Sequence, residues 1–86
     1  MRLEFTPHAL IELDQREIDK ADVELTCTEP DNVVDGSYGR KVYQKIIQDK
    51  ILLKPMLYRV VVEELENAYS VYHSVQDFEH QEISLR

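Results

Sequence analysis

The stretch Arg40-Lys41-Val42-Tyr43-Gln44-Lys45-Ile46-Ile47-Gln48 decides the fold. It is rich in β-branched and aromatic residues and lies between the turn-forming Asp35-Gly36-Ser37-Tyr38-Gly39 and Asp49-Lys50, so it reads as a strand. Downstream, Leu57 to Glu64 and Ala68 to Val75 repeat the pattern, separated from their neighbours by Lys54-Pro55 and Glu66-Asn67. Upstream, Asn32 to Asp35 adds a short strand, and Leu3-Glu4-Phe5 is short enough for a sheet edge. Before Pro30 the period is helical. Thr6 supplies an N-cap hydroxyl with Pro7 at the first helical position, and Leu10, Ile11 and Leu13 form an inner stripe to about Arg16 while Glu12, Asp14 and Gln15 stay wet. Asp19 caps a second helix, backed by Asp22 and an Ile18–Val23 staple, with Ala21, Leu25 and Thr28 in one row beside Val23 and Cys27, until Glu29-Pro30 stops it. The reading is an α+β domain: two N-terminal helices packed on one face of a twisted antiparallel sheet of three to four strands.

With 86 residues, 43% hydrophobic and 31% charged, the chain has room for one core and no second domain. Residues 1–30 form the helical part, 31–75 the sheet and 76–86 a polar tail. No apolar run spans a bilayer and the start lacks a secretory leader, which points to the cytosol and away from a membrane. The single Cys27 excludes an internal disulfide, and His8, Cys27, His73 and His80 lack zinc-ligand spacing, so neither metal nor cofactor is expected. A domain this small gains from a partner, and a homodimer is one candidate.

Charge is segregated. The net −7 divides into −5 over residues 1–30, +3 over 31–62 and −5 over 63–86. Screening over about 8 Å at physiological salt lets such a basic segment meet phosphate despite acidic ends. Strand parity assigns Val42, Ile46, Val60, Val62, Val71 and Val75 to the helices, leaving Lys41, Tyr43, Lys45, Arg59, Ser70, Tyr72 and Ser74 on the other face as a polyanion platform. Ile47, Leu57 and Val61 share that second parity, so part of the platform must be covered.

Phe5-Thr6-Pro7-His8-Ala9, Arg16-Glu17-Ile18-Asp19, Glu29-Pro30-Asp31-Asn32-Val33-Val34, Gly39 to Lys45, Leu57 to Val62 and Tyr69-Ser70-Val71-Tyr72 together resemble, in order and spacing, a small bacterial family of unknown function. That family is itself similar to the RelE/ParE-like and BrnT-like toxins. The resemblance spans residues 3–75. It implies two helices before a twisted antiparallel sheet, metal-free mRNA cleavage and neutralisation by an antitoxin protein. By strand and position, Lys45, Arg59 and Tyr72 match the cations and late proton-transfer residue of RNA-cleaving relatives. Ser70 stands where the family has Thr, and the acidic balance departs from the basic character of active toxins.

Metal-free RNA cleavage needs a base, a cation for the phosphate and an acid for the departing oxygen. Arg59 fits a bidentate phosphate contact, Lys45 a point charge, and Tyr72 a proton carrier if cations lower its pKa. His8, in the first helical turn, is the candidate base, because the positive end of the helix dipole favours neutral imidazole. Arg40 and Lys41 would add phosphate contacts, and Tyr43 a stacking surface for bases. Each residue has a structural alternative. His8 caps or packs at the helix start, His73 packs or pairs in the core, and Arg59 pairs with Glu63 or Asp35. Lys41 and Lys45 are solvated, and Tyr43 and Tyr72 brace the sheet. On those readings the chain is a non-catalytic protein-interaction or dimerisation module of the same fold.

Overall fold

A computed structural model describes residues 2–49 and 53–78. The chain runs β1 (Arg2–Phe5), α1 (Pro7–Gln15), α2 (Lys20–Thr28), β2 (Asn32–Asp35), β3 (Lys41–Gln48), β4 (Pro55–Glu64) and β5 (Ala68–Phe78). The two helices and the α+β class agree with the sequence reading. The sheet differs from it, having five strands in the order β1-β5-β4-β3-β2. β1 lies parallel to β5, whereas β2, β3, β4 and β5 pair antiparallel in succession, so the sheet is mixed. Four residues of β1 carry too little alternation to announce a partner, and its pairing is settled by where the chain returns after β4. β5 also continues through 76–78, so the expected tail begins in a strand; His80 and the rest of 79–86 lie outside the described residues.

Both helices begin where their caps dictate. Thr6 Oγ1 accepts the Ala9 N–H at 3.1 Å, and Asp19 Oδ1 accepts the Ala21 N–H at 2.9 Å. Their inner faces are rotated from the expected stripes. In α1 the buried residues are Ala9, Glu12 and Leu13, while Leu10 and Ile11 are about half exposed. In α2 they are Val23, Thr26 and Cys27, with Leu25 at the surface.

The core joins these helical residues to Tyr43, Met56, Tyr58, Val60, Val62 and Val71. Val23, Val60, Val62 and Val71 are fully buried, each worth about 1.5–3 kcal/mol relative to exposure. Register fixes the parity of the whole sheet. Tyr43 pairs with Val60, Lys41 with Val62 and Lys45 with Tyr58, so the odd residues of β3 share the helix-packed face. Gln44 pairs with Arg59, and Val42 with Val61, on the opposite face. Assigning Val42 and Ile46 to the core is therefore corrected: Ile46 is 42% exposed while the Tyr43 ring is buried. Ile47 pairs with Met56 and so joins the helix face, whereas Leu57 is buried on the other one. Between Val61 and Val62 the pairing with β5 shifts by one residue, a bulge that places Val71 opposite Val62 and Ser74 opposite Val60. Among the described residues no helix is long and apolar enough to cross a membrane.

Candidate functional site

The residues expected to form a cationic platform are divided between the two faces of the sheet. Lys45 lies on the helix side, where its ammonium donates to the Glu29 carbonyl at 2.8 Å and to Asp31 Oδ1 at 3.3 Å. Its charge therefore serves the C-terminal end of α2, where a cation is favourable. Asp31 in turn accepts the Ile46 N–H at 2.9 Å; that bond, followed by Lys45, holds its carboxyl below the usual range. Lys41 Nζ pairs with Asp35 at 3.2 Å. The buried Tyr43 donates its hydroxyl to Glu64 and packs against Tyr69 with ring centroids 5.5 Å apart. Burial first, then Glu64, pushes its phenol well above the ordinary range, so it offers no base platform and no mobile proton.

Arg59 is half-buried on the face away from the helices, between Gln44 of β3 and Val75 of β5 in register. Arg40 stacks its guanidinium on the Tyr72 ring at 3.9 Å, and the Tyr72 hydroxyl donates to Glu63 Oε1 at 2.8 Å. Lys45 and Tyr43 are thus separated by the thickness of the sheet from Arg59, Arg40 and Tyr72. The constellation Lys45–Arg59–Tyr72 is not assembled.

A different group is assembled. β1 ends at Phe5 opposite Val71, so among the described residues no strand lies beside the outer edge of β5 beyond Val71. A backbone N–H left there needs an acceptor. α1 starts at this point, tied on by the Thr6 N–H donating to the Val71 carbonyl at 3.1 Å, and Glu12 on its inner face accepts the Ser74 N–H through Oε1 at 2.9 Å. Glu12 is only 6% exposed. Its second oxygen, Oε2, is met by His73 Nδ1 at 2.8 Å, Arg16 Nε at 3.6 Å and His8 Nε2 at 3.9 Å. At 2.8 Å an imidazole nitrogen and a carboxylate oxygen share a proton, so Nδ1 of His73 is the donor, and in the neutral imidazole Nε2 is the nitrogen with the lone pair. The His8 and His73 rings lie parallel, 7° apart in plane with centroids 6.4 Å apart. The His8 side chain is 73% exposed and that of His73 41%, so solvent reaches both rings.

The sequence singles out His8, gives His73 the parity of a core residue that packs or pairs, and sends Glu12 to water. The signal for the first pair was available as His and Glu four apart on one helix, hence on one face. His73 joins them only through the β1–β5 pairing and the bulge, which leave no trace in local spacing. The absence of zinc-like spacing among His8, Cys27, His73 and His80 is a fact of the sequence, and it does not describe how the fold places His8 and His73. Cys27 is far from reactive: burial, with Glu24 beside it, pushes its thiol up to about 12.

Comparison with protein-family models, with curated proteins and with solved structures gives no match, so the side chains around Glu12 carry the functional argument by themselves.

Proposed function

We propose that the chain is a toxin-like, metal-independent ribonuclease of the mRNA-interferase type, acting in the cytosol on a RelE-like scaffold and held in check by an antitoxin protein. Its proton-transfer centre, on this reading, is His8–Glu12–His73 rather than Lys45–Arg59–Tyr72. One observation carries it: two solvent-reached imidazoles beside a buried carboxylate that fixes the tautomer of one of them. Histidine is the side chain best suited to exchanging protons near neutral pH.

The chemistry follows from the arrangement. Nε2 of His73 takes the proton of an RNA 2′-hydroxyl, and Glu12 offsets the imidazolium charge through Nδ1. The 2′-oxygen forms its bond to phosphorus as the bond to the 5′-oxygen breaks. His8, entering the cycle protonated, gives its proton to the departing 5′-oxygen. The products are a 2′,3′-cyclic phosphate and a 5′-hydroxyl. Arg16, half-exposed beside Glu12, supplies a cation for the phosphate.

The test is cleavage of single-stranded RNA by the purified chain in the presence of a chelator. His8→Ala and His73→Ala are each expected to lower the rate by about 10²–10⁴-fold. No cleavage by the wild type overturns the reading. Loss on Arg59→Ala and Tyr72→Phe, with His8→Ala unaffected, moves the centre to the sheet face.

The second reading, a non-catalytic interaction or dimerisation module, is favoured by the outer side of β2, which pairs with no other strand among the described residues. This edge strand is exposed throughout, with Val33 and Val34 at 40% and 39%. Such an edge accepts another strand unless a charge blocks it. Association in solution that disappears in Val34→Lys, without RNA cleavage, supports this reading over the first.

A further inference from the structure

We infer that His8, Glu12 and His73 form a binding site for a divalent late transition-metal ion, Zn2+ above all, through His8 Nε2, Glu12 Oε2 and His73 Nδ1. One ligand atom from each of the three residues lies within 4.8 Å of the other two. A tetrahedral zinc ion with bonds of about 2.0–2.1 Å separates its ligand atoms by about 3.3 Å. The His73–Glu12 separation of 2.8 Å and the His8–Glu12 separation of 3.9 Å bracket that value. Closing the site opens the shorter contact and draws in His8, whose exposed side chain at the first turn of α1 moves without disturbing the core.

Several features favour an ion over a simple cluster of ion pairs. Glu12 is buried, so its charge needs full compensation. Three potentially cationic side chains face the same oxygen, Oε2, but only His73 reaches hydrogen-bond distance, so Oε2 keeps a lone pair for an ion. The other oxygen, Oε1, is fixed by the Ser74 amide. That bond supplies the outer-shell support that orients a metal-binding carboxylate. Two nitrogens and one oxygen select zinc, cobalt or nickel over magnesium or calcium, which take oxygen ligands. The exposed side of His8 leaves the remaining coordination positions to water. Arg16 opposes the ion, since its guanidinium stands 3.6 Å from Oε2.

Binding itself does not depend on the proposed ribonuclease activity. One consequence does: an ion on His8 Nε2 and His73 Nδ1 ties up the His8 nitrogen that would protonate the departing oxygen and displaces to solvent the proton that His73 shares with Glu12, so Zn2+ would switch cleavage off.

The experiment uses the metal-free, tag-free chain titrated with Co2+. Visible absorption bands are expected to saturate at one ion per chain and to vanish when Zn2+ displaces Co2+, while Mg2+ leaves them unchanged. His8→Ala is expected to weaken binding at least about tenfold. Arg16→Ala is expected to tighten it several-fold by removing a like charge. His73→Ala can disturb folding around Glu12, so the wild type is also followed by NMR, where Zn2+ is expected to shift the His8 and His73 ring signals together. Absence of Co2+ bands overturns the site, as do bands that persist unchanged in His8→Ala or ring signals that ignore Zn2+. RNA cleavage is measured separately on the same preparation with chelator. Binding without cleavage then sinks only the ribonuclease reading, and cleavage without binding sinks only the metal site.

Discussion

At the scale of single residues, the candidate centre is organised by a need of the backbone. Where β1 stops, the Ser74 N–H requires an acceptor, and Glu12 supplies it from the neighbouring helix. The carboxylate brought there for a structural purpose then orients His73 and lies close to His8. Ser74 shows the other side of this arrangement. Its amide is satisfied, but its hydroxyl is buried without a hydrogen-bond partner. Leaving a buried hydroxyl unpaired costs about 1–3 kcal/mol, whereas removing it costs only a small packing volume. Ser74→Ala is therefore expected to be neutral or stabilising by up to about 1 kcal/mol, read from denaturant midpoints at constant slope. A clear loss of stability would mean that the hydroxyl makes a bond that matters. The sequence disclosed His8 and its four-residue spacing to Glu12, but a hydrophobic-stripe reading of α1 sends a glutamate to solvent by default. Only the unpaired edge of β5, a tertiary fact, reverses that default.

At the scale of elements, what was legible depended on whether the cause was local. The cap of α1 is a relation between Thr6 and Ala9, and Pro7 marks the first turn. Both are visible in four consecutive residues. Replacing an N-cap threonine with alanine costs about 0.5–2 kcal/mol. Thr6→Ala is thus expected to lower the melting temperature by about 4–8 °C for each kcal/mol lost, as a domain of this size does. An unchanged melting temperature would show that α1 is held by packing and the Thr6–Val71 backbone bond alone. The orientation of β3, in contrast, is not local. Val42 and Ile46 alternate with Lys41, Tyr43 and Lys45, and ordinary hydrophobicity assigns them to the core. The fold prefers the larger Tyr43 there because its hydroxyl finds Glu64. Lys41 and Lys45 can share that side because their long stems carry the ammonium groups out to Asp35 and to Asp31 with the end of α2. A one-residue difference in parity exchanged every side chain of the strand between faces, and with them the expected platform.

At the scale of the whole molecule, cations of the central basic segment are met by carboxylates of that same segment and by a tyrosine from the acidic end. Lys41 and Lys45 meet Asp35 and Asp31, and Arg40 lies over a tyrosine that donates to Glu63. Segregation along the chain therefore does not become segregation in space at these residues, which is why charge counting located no site. The same economy uses tyrosines as neutral struts between acidic groups and the sheet. Tyr58 donates to Asp22 of α2 at 3.0 Å, and Tyr43 donates to Glu64 at the end of β4. Burial first, then the accepting carboxylate, raises both phenols above their ordinary value of about 10. A pKa raised on folding means that the folded state keeps a proton the unfolded chain gives up. The stabilisation is complete below the unfolded pKa of about 10 and is lost as pH climbs toward the folded values. Thermal unfolding followed by circular dichroism is accordingly expected to show stability falling between about pH 9 and about pH 11. In Tyr58→Phe the starting stability is lower, because Asp22 loses its donor, but the alkaline decline is shallower, because one of the two phenol protons that folding retains is gone. Parallel declines in the two proteins would show that the Tyr58–Asp22 strut between helix and sheet does not carry the alkaline limit.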